Sequence, residues 1–123
     1  LLTMYGYPTC GTCKKARKWL NDHDINYSEI QIAEHPPAKN ELRSLYRKSG
    51  LPLKKFFNTS GRHYRDQDIK TKIRTEPEEK WLEWLSADGM LIKRPIITDG
   101  EHVTVGFNPQ QFEAIWGKVM REN

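Results

Sequence analysis

The order of periodic segments in this 123-residue chain predicts an α/β fold built on a mixed central sheet. Three observations lead there. Strand, helix and strand alternate over the first third, a helical block without strand signals fills the middle, and an Asp-Gly turn between two β-prone runs precedes a last amphipathic helix. A right-handed crossover makes the first two strands parallel neighbours, and the hairpin adds antiparallel ones. The length suits one hydrophobic core and not two independent ones, so residues 1–123 are read as a single domain.

Leu2, Met4, Tyr5 and Tyr7 form the first strand, which stops at Pro8 and passes into the polar turn Pro8-Thr9-Cys10-Gly11. From about Thr12, the apolar residues Cys13, Ala16, Trp19 and Leu20 recur at helical spacing, while Lys14, Lys15, Arg17 and Lys18 cover the opposite face. That helix ends near His23-Asp24, and Tyr27 to Ile32 is the second strand. Pro36-Pro37 breaks the chain, after which Leu42, Leu45 and Tyr46 make a helical stripe that closes at Gly50. Leu53 to Phe57 adds a turn. Thr75 reads as an N-cap ahead of Pro77, Glu78 and Glu79, with Trp81, Leu82, Trp84 and Leu85 as the apolar face and Gly89 as the stop. Leu91-Ile92 and Pro95 to Thr98 lead into Asp99-Gly100, and His102 to Gly106 returns as the partner strand. Pro109 to Met120 is the closing helix, with Phe112, Ile115, Trp116 and Val119 on one face. This is the layout of a thioredoxin-like fold: a parallel βαβ start, a helical insertion at about 36–88, then a C-terminal β-hairpin and helix. There is no internal repeat and no low-complexity segment.

Composition narrows the function. The formal charge is +4, with basic residues spread along the chain beside nearly as many acidic ones. A dedicated nucleic-acid binder carries a denser basic stripe, so direct nucleic-acid binding is not expected. No apolar run approaches the roughly 20 residues of a membrane span, and no membrane role is expected. Leu1 to Tyr7 has no basic stretch before it and no small-residue cleavage site after it, which points to the cytoplasm. The two cysteines are separated by two residues, and a bridge between them closes too small a ring to gain much chain entropy. Reactivity is the better reason for the pair.

Cys10-Gly11-Thr12-Cys13 falls between the first strand and the first helix. There Cys10 meets unpaired backbone N–H groups and the positive end of the helix dipole, both of which favour a thiolate. Cys10 is therefore the expected nucleophile and Cys13, one turn along, the expected resolving thiol, with Lys14 and Arg17 adding positive field. Two other readings stand beside this one. The pair could be half of a zinc site, but there is no second cysteine pair, and His23, His35, His63 and His102 lack ligand spacing. It could also be two inert core residues, although such cysteines seldom sit between a strand and a basic helix start. Lys15 and Lys18 read equally well as a solvated helix face. Neither a metal nor a tightly bound cofactor is expected.

The strand ending before Cys10-Gly11-Thr12-Cys13, the Glu34-His35-Pro36-Pro37 break, Leu91-Ile92-Lys93-Arg94-Pro95-Ile96 and Val105-Gly106-Phe107-Asn108 together resemble the arsenate reductase family, and most of all its Spx/MgsR-type subgroup. The resemblance covers nearly the whole chain. It implies Cys10 as nucleophile, Arg94 facing an anion or the thiolate, and a cis proline at Pro95 opposite the reactive sulfur, with Gly11 and Thr12 helping to position a substrate. Glutathione, glutaredoxin or thioredoxin would restore the dithiol. Family arsenate reductases that depend on glutaredoxin carry a serine where this chain has Cys13, and they surround arsenate with three arginines. By register two of those fall near Asn58 and Phe107, leaving Arg94 matched and Arg62, Arg65 and Arg74 as candidate replacements. A doubly charged oxyanion needs several charge-assisted donors, so the departures argue against efficient arsenate reduction. The Spx-like regulators pair a Cys-x-x-Cys switch with a glycine, near Gly50 here, that meets the C-terminal domain of the RNA polymerase α subunit. Gly50 is also fully accounted for as a helix C-cap. Thiol-disulfide exchange, redox-sensing regulation and arsenate reduction are the three functions to be weighed.

Overall fold

A computed structural model describes residues 1–118. In chain order the elements are β1 (Leu2–Gly6), α1 (Gly11–Asp22), β2 (Tyr27–Gln31), α2 (Lys39–Ser49), α3 (Arg62–Asp66), α4 (Ile69–Lys72), α5 (Glu78–Ala87), β3 (Ile96–Thr98), β4 (Val103–Val105) and α6 (Pro109–Phe112). Short 3-10 turns occupy Leu53–Phe56 and Gly89–Leu91. The sheet runs β2-β1-β3-β4, with β2 parallel to β1 and the other pairs antiparallel. This is the mixed, thioredoxin-like α/β fold expected from the sequence. The chain divides into two compact units: residues 1–30 together with the segment from Arg94 onward, and residues 31–93.

In the first unit β1 is an interior strand, and Leu2, Met4, Tyr5 and Gly6 are all buried. Cys13, Ala16 and Leu20 recur on one face of α1 and join Leu2, Met4, Ile25, Ile97, Phe112 and Trp116 in a single apolar cluster. Each fully buried Leu or Ile of this kind contributes roughly 1.5–3 kcal/mol. Thr104 is a buried polar residue, and its hydroxyl accepts the Trp116 indole N–H at 3.1 Å. The Asp-Gly signal does make the hairpin. Because Thr98 pairs with Val103, the loop is Asp99–His102; the Asp99 Oδ1 accepts the amides of Glu101 at 2.9 Å and His102 at 2.7 Å, and Gly100 takes φ 100°. Asn108 caps the last helix through its Oδ1, which accepts the Gln111 amide at 3.0 Å, and Glu113–Gly117 widens into a π-helical turn. The expected positions of Val119 and Met120 lie outside the described residues.

The second unit is helical. Leu42 and Leu45 of α2 are buried, as are Leu82 and Leu85 of α5, and the two helices pack together. Gly50 closes α2 in the left-handed conformation at φ 70°, as its sequence position suggested. One expectation needs correction. Thr75 is not the cap of α5: Pro77 stands there without a side-chain cap, and the Thr75 hydroxyl donates back to the Lys72 carbonyl. Gly89 does follow directly on the end of α5. Asp88 ends α5, and Gly89 is glycine because a Cβ there would run into the Ile32 carbonyl. Asp88 holds that turn, accepting the Met90 amide at 3.0 Å, the Gln67 amide nitrogen at 2.8 Å and a hydrogen bond with His63 Nδ1 at 2.8 Å. Helices α3 and α4 went unplaced by sequence because each buries a single side chain, Tyr64 and Ile69.

Two glycines separate close packing from open backbone. Gly89→Ala is expected to cost about 2–4 kcal/mol in urea unfolding, because backbone cannot yield as a flexible side chain can. Gly11→Ala, whose Cβ would meet nothing within 4 Å, is expected to be neutral or to stabilise by up to about 1 kcal/mol. Equal costs at the two positions would refute this packing argument.

Candidate active site at the start of the first helix

Pro8 ends β1, and the chain turns so that the Cys10 amide donates to the Tyr7 carbonyl at 3.2 Å. Cys10 is extended at φ −75°, ψ 119°, and its carbonyl accepts the Lys14 amide at 3.1 Å, which makes it the N-cap of α1. Its Sγ accepts the Cys13 amide at 3.3 Å, the role that a serine or aspartate oxygen more often fills. The first turn, Gly11 to Lys14, carries no carboxylate. Burial alone would raise the Cys10 pKa, but hydrogen bonds from the Cys13 side chain and amide, the charge of Arg94 and the Thr12 amide outweigh it, and the thiol is held below its ordinary value.

Cys13 is the opposite case. It is 0% exposed, and burial, a hydrogen bond to Cys10 and the neighbouring charge push its thiol up to about 12, against a backbone hydrogen bond with Tyr7 and the charge of Arg17. The pair thus comprises one half-exposed sulfur prepared to ionise and one buried sulfur that keeps its proton. Both thiols are free.

Arg94, Pro95, Gly11 and Thr12 belong to the first unit with the two cysteines. The Arg94–Pro95 peptide is cis, Pro95 is buried, and its carbonyl accepts the Gly106 amide at 2.9 Å. The Arg94 guanidinium lies over the Tyr7 ring, 5.5 Å from its centroid. Gly11 and Thr12 are exposed. Phe107, at the register of one family arginine, packs edge-on against Phe112 with ring centroids 4.8 Å apart. Gly50 belongs to the second unit, where it is exposed at the end of α2. So do Asn58, Arg62, Arg65 and Arg74; the Asn58 amide donates to the Leu91 carbonyl at 2.7 Å, and Arg65 donates to the Ser60 carbonyl at 2.9 Å.

Sequence reasoning assigned Arg17 to the field around Cys10. The structure gives it other partners: Nε and Nη2 donate to the Glu29 carboxylate at 2.8 and 2.6 Å, and Nη2 also donates to the Tyr7 carbonyl at 3.1 Å. Glu29 was missed altogether, since only the parallel pairing of β2 with β1 makes it a neighbour. Among the described residues no group of three His, Cys, Asp or Glu side chains could hold a metal, and no helix is long and apolar enough to cross a membrane.

With that geometry in place, the model of the ArsC family fits residues 5–115 of this chain. The chain belongs to the ArsC family. Within it, the protein YusI of Bacillus subtilis, described as uncharacterized, is 60% identical over 115 residues, covering 94% of this chain and 98% of YusI. The global transcriptional regulator Spx of Listeria innocua is 29% identical over 121 residues, covering 98% of this chain and 91% of Spx. A crystal structure of a putative ArsC family related protein from Bacteroides fragilis superposes with a TM-score of 0.89 at 40% identity, covering 92% of this chain and 95% of that one.

Iodoacetamide labelling of Cys10 across a pH series is expected to show a midpoint below the reference ~8.5, and Arg94→Ala is expected to move it upward. In Cys10→Ser protein, Cys13 is expected to resist labelling until denaturant is added. A Cys10 midpoint at or above the reference would remove the activated thiolate.

Proposed function

We infer that this ArsC family member is a thiol-disulfide redox protein in which Cys10 is the nucleophile and Cys13 resolves. The observation that carries this is the asymmetry of the pair: a cap sulfur accepting an amide at 3.3 Å, with a lowered pKa, one turn from a fully buried thiol. The Cys10 thiolate attacks a disulfide, forming a mixed disulfide and expelling one thiolate, which takes up a proton. Cys13 then loses its proton and attacks the Cys10 sulfur, forming the Cys10–Cys13 disulfide and releasing the second thiol. The substrate disulfide has gained two electrons and the protein has lost two. Glutathione, glutaredoxin or thioredoxin returns them, which suits a reducing compartment such as the cytoplasm.

Arg94 supplies positive charge to the Cys10 thiolate, cis-Pro95 shapes the opposite wall, and Gly11 and Thr12 border the entry. Gly11 adds no side chain there, and a Cβ would have open space around it. Mild peroxide or diamide should therefore lower the intact mass by about 2 Da through one intramolecular disulfide, lost in Cys10→Ser and in Cys13→Ser. Retention of both free thiols in the oxidised wild type would sink the reading.

A regulatory role is the second reading. It is favoured by the likeness to Spx and by Gly50, which presents an exposed left-handed helix end. Here the disulfide would change the start of α1 and so alter binding to the C-terminal domain of the RNA polymerase α subunit. Its test is a titration of that domain with reduced and oxidised protein; equal affinities would exclude redox control of this contact. Arsenate reduction fares worse, since Phe107 presents a ring where the family arginine would present charge. An assay coupled to glutathione and glutaredoxin is expected to show no arsenate-dependent thiol oxidation above background.

A further inference from the structure

Arg17 is positioned more elaborately than a solvated helix face requires. Its side chain is 20% exposed and that of Glu29 28%, so the two-pronged pair is partly withdrawn from water. Glu29 sits on β2, while Arg17 sits on α1 four residues after Cys13, the spacing that places two side chains on one helix face. Room for the pair comes from Gly6 at the end of β1: a Cβ there would lie 3.1 Å from Glu29 Oε2 and 3.6 Å from Arg17 Nη2. The third contact of Arg17, to the Tyr7 carbonyl, reaches the residue whose backbone meets both cysteines, through its carbonyl on one side and its amide on the other. That carbonyl also accepts the Cys10 amide, and the backbone of Tyr7 is hydrogen bonded to the Cys13 sulfur.

We propose that Arg17 is a positioning residue for the resolving half of the redox cycle: clamped by Glu29 and braced on the Tyr7 carbonyl, it steadies the Tyr7 backbone against which both cysteines rest and keeps a cation one turn from Cys13, where the attacking thiolate must form. The assignment rests on the dithiol reading above. It separates the two arginines by step. Arg94 is placed to act on the first sulfur, and Arg17, four residues along α1, on the second. Arg17 touches neither substrate nor a reacting atom.

The direction follows from two opposed effects. Removing the cation leaves less of Cys13 as thiolate, and the more basic thiolate that remains is the better nucleophile, but nucleophilicity rises less steeply than basicity, so resolution slows. Glutathione disulfide is the probe. Reduced protein is mixed with it, quenched at intervals with acid, and the Cys10–glutathione adduct and the intramolecular disulfide are counted by intact mass. In Arg17→Gln the adduct is expected to form at the wild-type rate within about twofold but to convert about threefold more slowly. Arg17→Lys, which restores the charge without the fork, is expected to recover most of the conversion rate. Thermal midpoints of both variants establish that they are folded.

Conversion by Arg17→Gln and Arg17→Lys at equal rates, whether both slow or both normal, would overturn the assignment, as would parallel slowing of adduct formation. Those results leave the dithiol reading standing. A wild-type adduct that never converts to the intramolecular disulfide would instead overturn the dithiol reading, and the role of Arg17 with it.

Discussion

The hydrogen bond from the Cys13 amide to the Cys10 sulfur ties the chemistry of this chain to the way its first helix begins. A helix start leaves several amides unpaired, and a side-chain acceptor at the cap is worth about 1 kcal/mol to the helix. When the acceptor is sulfur, the gain is larger for the thiolate than for the thiol, so stabilising the helix and ionising Cys10 are one event. Whatever modifies Cys10 removes a cap. The ionisation of Cys10 is therefore coupled to the start of α1 through a contact that belongs to the fold.

The same helix then treats its second cysteine differently. Cys13 points into the apolar cluster with Ala16 and Leu20, and burial dominates its ionisation. Two thiols three positions apart thus face unlike surroundings because one turn of helix carries the chain from the cap into the core. The unlike acidities of the two thiols follow from that rotation, with Tyr7 as the shared backbone support.

Much of this was legible in the sequence because it depends on local spacing. Pro8 before the cysteines, the Ala16 and Leu20 stripe, Gly50 after Leu45 and Asp99-Gly100 between β-prone runs each act over a few residues, and each marks the element it suggested. What escaped reading depends on distant chain. Glu29 meets Arg17 only once β2 lies beside β1, and Gly89 is constrained by Ile32 across the second unit. Helices α3 and α4 expose most of their residues and leave no periodic apolar stripe to find. Thr75 failed as a cap because Pro77, already set at φ −72°, provides the extended residue that begins α5 two positions later.

The depth of Cys13 has one more consequence, for damage. Oxidants in solution reach a single sulfur, and a sulfenic acid formed there has a thiol partner on the adjoining turn that can condense with it. Condensation competes with a second oxidation to the irreversible sulfinic state. The buried residue is thus both shielded from that fate and the means by which its exposed neighbour escapes it.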